Sequence, residues 1–274
     1  MQTALITGGS RGIGFAVAQQ LGARGYGLEL ISSNAQKLDR AADALRAEGT
    51  LVTAVHAIDF ADLEQIANFT NRRLAAGAAW DLLINNAGIK VEKSAPPSVQ
   101  GLERHMAINH LAHFALTLGL LPAAAAGARV VHVASIVARF ADANIFEAPD
   151  KSGRYAASKL ANLVFSLELQ HRLRAAGAAI TSAAAHPGFT KADPYGSRCT
   201  RLAETLLAQS CDKGAKPIVA AAIEPEPAGY VGPRWLELWG VPRTAKLPPL
   251  AEDRDFRSLV WTTSEKLTGA EFPI

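Results

Sequence analysis

Cysteine is almost missing from this chain of 274 residues: there are two, Cys199 and Cys211, with no C-x-x-C spacing between them. That excludes a disulfide framework and a thiolate zinc site, and it fits a reducing, cytoplasmic setting. Charge is also sparse, at 19% of residues with a net +3, and Arg72-Arg73 is the only adjacent basic pair. Without a basic stripe there is no footprint for nucleic acid or an anionic membrane. Long hydrophobic runs are lacking too. The longest, Leu111 to Leu121, contains His113 and stops at Pro122, short of the ~20 residues that a membrane span needs. Met1 is followed almost at once by the strand-like Ala4-Leu5-Ile6, so no secretory leader is predicted and a soluble protein is expected.

What the chain has is core. Apolar residues make up 49% of it, and a single α/β domain over 1–274 accounts for the whole length. Thr3 to Thr7 is a short apolar run that ends in Gly8-Gly9-Ser10-Arg11-Gly12-Ile13-Gly14, after which Ile13, Val17 and Leu21 recur at helical spacing. Strand, glycine turn and helix in that order form a cradle for a pyrophosphate, because glycines allow close backbone approach and the helix start offers unpaired N–H groups.

The rhythm continues. Gly27 to Ile31 reads as a second strand, and Ser32-Ser33-Asn34 then caps a helix with the stripe Leu38, Ala41, Ala42, Leu45. Leu51 to Ile58 is a third strand that ends at Asp59-Phe60, with Asp62 capping the next helix. Trp80 to Ile84 is a fourth, ending in Asn85-Asn86-Ala87-Gly88. Gly101 to Leu121 forms a long helix carrying Asn109, and Arg129 to Ala134 is a fifth strand with Ser135 at its end. After a long connection over 136–154, Tyr155-Ala156-Ala157-Ser158-Lys159 opens a helix that runs to Leu173. Ala178 to Ala184 is a sixth strand leading to His186-Pro187-Gly188. Strands alternating with helices imply a doubly wound parallel sheet in three layers, with ligands at the carboxyl ends of the strands. Beyond it the rhythm is lost. We expect a substrate lid and C-terminal extension over roughly 190–274. It includes Lys191 to Gly196, a helix around Thr200 to Gln209, another near Pro217 to Ile223, a turn at Gly229-Tyr230-Val231-Gly232-Pro233 and a proline-rich tail through Pro248-Pro249.

Tyr155 and Lys159 are four apart, so on a helix the ammonium lies near the phenol and can pull its pKa from ~10 toward the working range. Taken with Thr7-Gly8, Gly12-Ile13-Gly14, Asn85 to Gly88, Ser135 and Pro187-Gly188, the pair stands in the order and spacing of the short-chain dehydrogenase/reductases. The chain resembles that superfamily, with its Rossmann-type fold, over nearly its whole length. Asn109-His110-Leu111-Ala112-His113-Phe114, Ser158 to Asn162, Gly229 to Pro233 and Trp261 to Gly269 are similar to the retinol-dehydrogenase-like branch.

The resemblance implies an oxidoreductase that moves hydride between a nicotinamide cofactor and a carbonyl or alcohol. Tyr155 would be the general acid/base, Lys159 the group that holds the ribose and lowers the Tyr155 pKa, and Ser135 the orienter of the substrate oxygen. Asn109 would support a water near the lysine. Gly8, Ser10, Arg11, Gly12, Ile13 and Gly14 would hold the pyrophosphate end. Asp59, Phe60, Asn86, Ala87 and Gly88 would line the adenosine side, and Pro187, Gly188, Phe189 and Thr190 the nicotinamide end. The second strand ends Leu30-Ile31-Ser32-Ser33-Asn34 without an acid, and Arg11 suits a 2′-phosphate. NADP(H) is therefore expected over NAD(H), with modest discrimination because Ser33 stands where the branch often has a second Arg. Phe189, Tyr195, Trp235, Leu236 and Trp239 suggest an apolar substrate pocket. His105, His110 and His113 share a helix, but no carboxylate or Cys shares their spacing, so they read as ordinary polar helix positions and no metal is expected. An epimerase or dehydratase acting through transient oxidation fits the same residues, as does a cofactor-sensing regulator. A monomer and a homodimer paired through the helix faces around Asn109 and Asn162 both stay open.

Overall fold

The computed structural model describes residues 1–90, 96–147, 151–191, 207–224 and 229–274. Its first strands are β1 (Thr3–Thr7), β2 (Gly27–Ser32), β3 (Val52–Ala57) and β4 (Trp80–Asn85). They are followed by β5 (Ala124–Val133), β6 (Thr181–Ala185), β7 (Tyr230–Trp235) and β8 (Trp239–Thr244). They form one sheet in the order β3-β2-β1-β4-β5-β6-β7-β8. All neighbours are parallel except β7 and β8, which form an antiparallel pair. The chain lays down β1, β2 and β3 in one direction and resumes with β4 on the other side of β1. This leaves a crevice at the carboxyl ends of β1 and β4, where the strand order reverses.

Side chains alternate across each strand, so Ala4 and Ile6 of β1 enter one core and Leu5 the other. The first core is covered by α1 (Gly12–Gly22), α2 (Ala35–Ala47) and α7 (Cys211–Ile223). The opposite face is covered by α3 (Leu63–Ala75), α5 (Ala112–Leu120) and α6 (Lys151–Ala175). Helices on both faces make the three layers that the alternation predicted, and strands buried on both sides explain why Leu82-Leu83-Ile84 is continuously apolar.

Helix α5 continues a short α4 (Arg104–Met106) through a π-helical segment, Ala107–Leu111. The run Arg104–Ala123 spans 20 residues and is apolar enough to cross a membrane, but 78% of its best window is buried inside the fold. It is a core helix packed against α3 and α6.

The chain beyond Gly188 differs from the expectation. Tyr230 to Pro233 is not a turn. It is part of strand β7, buried and paired with β6 through Ala184 and Ala185. Two prolines hid it: Pro233 and Pro242 face each other in the last ladder, where an edge pairing tolerates residues that cannot donate. The proline-rich tail is also ordered. Pro248 precedes α8 (Pro249–Glu252), Asp253 caps α9 (Arg254–Thr268), and Gly269, at φ 69°, ends it. Helix α9 packs Val260 and Trp261 onto α6 and α5. Of the expected lid, 192–206 lie outside the described residues, Tyr195 and Cys199 among them. Gln209 is not helical; it makes an isolated bridge with Thr190.

Candidate active site

The glycine turn takes its shape from contacts that leave no room for a side chain. Gly8 has φ +67°, and a Cβ there would lie 2.8 Å from Asn86 Nδ2. A Cβ on Gly14 would lie 2.2 Å from the Gly8 carbonyl oxygen. Gly12, at φ +58°, faces open space within 4 Å, so the turn is tight against the fold on one side and open on the other. That suits close approach of a diphosphate to the start of α1. Asn86 Nδ2 donates to the Thr7 carbonyl at 2.8 Å, which ties the end of β4 to the end of β1. Ser10 donates to Ser32 Oγ at 3.1 Å, and Arg11 is exposed beside them in extended backbone.

Ser32 ends β2 and Ser33 follows it; the strand's one carboxylate, Glu29, lies in mid-strand. Burial acts to raise the Glu29 pKa, but hydrogen bonds from His56 and Arg73 outweigh it and hold the group below its usual range. No acid stands at the end of the strand. Asp59 is exposed and accepts from Ala61 N at 2.9 Å, while Phe60 is buried.

The second cluster gathers at the ends of β4 and β5. Ser135 starts a short 3-10 helix, Ile136–Phe140, and its side chain hydrogen bonds with Tyr155. Tyr155 is only partly buried as a residue, yet burial of its hydroxyl dominates and raises its pKa to about 12, against a lowering by Ser135. Lys159 Nζ donates to the Val133 carbonyl at 2.9 Å and lies 5.9 Å from the centre of the Tyr155 ring. Burial, then the charge of Lys90, lowers its pKa to about 8. With the Lys159 ammonium turned to the Val133 carbonyl, burial, opposed by Ser135, sets the direction of the Tyr155 shift.

Asn109 sits in the π-helical segment, fully buried. Its Oδ1 accepts from Ile89 N at 2.8 Å, and its Nδ2 donates to Ile89 O at 3.0 Å and Ser158 Oγ at 2.9 Å. Ser158 Oγ in turn donates to the Tyr155 carbonyl at 2.8 Å. One amide thus brackets the peptide after Gly88 and braces the first turn of the Tyr155 helix. A Cβ on Gly88 would lie 3.0 Å from Asn109 Oδ1 and 3.6 Å from Lys159 Nζ.

Beyond β6, Gly188 has φ +70°, and a Cβ there would lie 2.4 Å from the Leu238 carbonyl oxygen. Thr190 Oγ1 donates to Pro187 O at 2.8 Å, and Phe189 N donates to Leu238 O at 3.0 Å. Sequence reasoning missed Gln209, whose Nε2 donates to Pro187 O at 2.6 Å and so braces the same turn. Trp239 Nε1 donates to Leu207 O, and Trp235 and Leu236 are exposed. His105, His110 and His113 are polar positions on the helical run, all three buried and hydrogen bonded. Among the described residues no group of three His, Cys, Asp or Glu side chains is placed to hold a metal ion. Asn109 and Asn162 point into the fold rather than onto an open helix face.

Comparison with known proteins gives the family. Residues 2–199 match the family model for short chain dehydrogenases. A mouse polyprenol dehydrogenase is 34% identical over 289 residues, covering 98% of this chain and 84% of its own. Human retinol dehydrogenase 13 is 30% identical over 292 residues, covering 99% and 86%. An uncharacterized protein from Mycobacterium paratuberculosis superposes with a TM-score of 0.84 at 32% identity, covering 100% of this chain and 96% of that one. A blue fluorescent protein from a metagenomic library, in complex with NADPH, gives 0.65 at 28% identity over 81% and 91%. A short chain dehydrogenase/reductase from Burkholderia phymatum, in complex with NAD, has the same fold, with a TM-score of 0.62 at 23% identity over 80% and 85%.

Proposed function

Because this chain belongs to the short-chain dehydrogenase/reductases, in their retinol-dehydrogenase-like branch, we propose that it transfers hydride between NADP(H) and an apolar carbonyl or alcohol in the cytoplasm. The observation that carries the reading is the convergence of Ser135, Tyr155, Lys159 and Asn109 beside the glycine turn. NADP(H), when bound, supplies or takes up the hydride. Gly8 to Gly14 would hold its diphosphate, Lys159 its nicotinamide ribose, and the Pro187 to Thr190 turn the nicotinamide end.

Ser135 would orient the substrate oxygen through its hydroxyl. Tyr155 would give that oxygen a proton in reduction and take it back in oxidation. Burial keeps the Tyr155 phenol protonated at neutral pH, the form that reduction draws on. The polyprenol and retinol dehydrogenase relatives are named for long apolar alcohols. The exposed Trp235 and Leu236 on the β7–β8 hairpin suit such a substrate.

The preference for the phosphorylated cofactor rests on Arg11, Ser10, Ser32 and Ser33 around an end of β2 that has no carboxylate. Arg11→Ala should raise the KM for NADPH by about tenfold or more and leave that for NADH within about twofold, since only the former loses a charged partner. Equal effects on the two, or faster turnover of the unaltered enzyme with NADH, would reverse the assignment.

A further inference from the structure

Of the buried groups that the proposed chemistry does not use, one touches both halves of the site. His113 is fully buried on the first turn of α5. Its Nδ1 lies 3.0 Å from the Asn109 carbonyl oxygen and its Nε2 lies 2.9 Å from Thr7 Oγ1. Thr7 Oγ1 also accepts from Asn86 N at 2.8 Å and Ala87 N at 2.9 Å. One face of the ring is packed against Phe60, with centroids 4.9 Å apart.

The proton positions follow from what each neighbour can do. A carbonyl oxygen only accepts, so Nδ1 carries the hydrogen. Burial, the Lys159 charge and His110 lower the ring's pKa to about 3 against the Asn109 contact, so the ring is neutral and Nε2 is bare. Thr7 has a single hydroxyl proton and two acceptors in reach, Nε2 at 2.9 Å and the Ile84 carbonyl at 3.2 Å. The bare nitrogen takes it, and the two remaining sites on Thr7 Oγ1 face the Asn86 and Ala87 amides. The chain of donors then runs in one direction, from those amides through Thr7 and His113 to the Asn109 carbonyl. Asn109 lies in the π-helical segment, where the ladder steps from four residues to five, with Ala112 N donating to Ala107 O.

We propose that His113 is a positioning residue: as the Nδ1–H tautomer it fixes the Asn109 turn of the π-helix in register with the Thr7–Asn86 cofactor turn. Cofactor seating and placement of the Lys159 and Tyr155 neighbourhood are then set by one imidazole. The inference rests on the functional reading above, but its two bonds can be cut separately.

His113→Phe keeps the packing on Phe60 and removes both bonds. His113→Asn puts an amide N–H near the Asn109 carbonyl and gives up Thr7. His113→Gln reaches Thr7 and gives up the carbonyl. NADPH affinity by fluorescence, turnover of retinal and thermal midpoint are measured for each. The Phe variant should lose about tenfold in both affinity and kcat. The Asn variant should recover kcat while affinity stays about tenfold weak, and the Gln variant should do the reverse. Nitrogen-15 spectra of the imidazoles in the unaltered protein, without cofactor, should show His113 protonated at Nδ1 and bare at Nε2. A bare Nδ1, or losses of affinity and kcat that move together and follow the thermal midpoint in all three variants, would overturn the proposal. An unaltered protein that neither binds NADPH nor reduces an aldehyde would instead overturn the functional reading, and the tautomer would still be decided by the spectra.

Discussion

At the scale of single residues, the site is a set of polar groups whose protonation is set by burial more than by one another. Lys159 shows this best. Its ordinary value of 10.5 falls to about 8, first through burial and then through Lys90. Between those two values the folded chain binds fewer protons than the unfolded one, so this lysine makes stability rise with pH across that window. Its effect on catalysis has the opposite sign if reduction needs the ammonium beside the ribose. Reductive kcat/KM should be flat up to about pH 7 and fall as pH rises through about 8, where the ammonium is lost. Lys90→Gln removes the repelling charge, so the falling limb should move to higher pH. A limb that stays in place or moves down would show that another group sets it. Tyr155, Lys159, Ser135 and Asn109 were legible in the sequence because their spacing along two helices and a strand end is local. Gln209 and His113 were not. Their partners Pro187 and Thr7 are 22 and 106 residues away, and no local pattern encodes such a contact.

At the scale of elements, strands β1 to β6 and the helices on both faces could be read from alternation alone. A strand buried on both sides is continuously apolar, and a covering helix shows a stripe. The hairpin of β7 and β8 carries neither mark. Gly232 and Pro233 look like a turn, and the need for glycine appears only in three dimensions. A Cβ on Gly232 would lie 2.0 Å from His186 Nε2. His186 is itself fully buried against Tyr230 and cannot retreat. Gly232→Ala should therefore destabilise by about 2–3 kcal/mol, lowering the thermal midpoint by roughly 5–10 °C. Gly229→Ala, whose Cβ would meet only Leu167 Cδ2 at 3.6 Å, should stay within about 1 °C. Similar losses in both would mean that the hairpin, rather than the His186 contact, is the sensitive feature. The hairpin also orders the site, because Leu238 O accepts from Phe189 N in the turn after β6 and Glu237 pairs with Arg139, four residues beyond Ser135.

At the scale of the molecule, the sheet order brings the ends of β1, β4, β5 and β6 onto one rim. The proposed function depends on that convergence. The topology was legible because each strand ends in a small signature, Gly8, Asn86, Ser135 and Pro187, and an alternating chain can bring them together on only one edge. The helix near Pro217 to Ile223 is present, but the turn expected at Gly229 to Pro233 is a strand, because β7, β8 and α9 reveal themselves through packing on α6 and β6 rather than through periodicity. The central claim is that this rim transfers hydride with Tyr155 moving the proton. Its most direct test is Tyr155→Phe, with NADPH affinity and aldehyde reduction measured on the same preparation. The phenyl ring keeps the packing and removes only the hydroxyl that meets Ser135. NADPH affinity should stay within about twofold while turnover falls by about a thousandfold or more. Turnover within about tenfold of the unaltered enzyme, at unchanged affinity, would contradict the account.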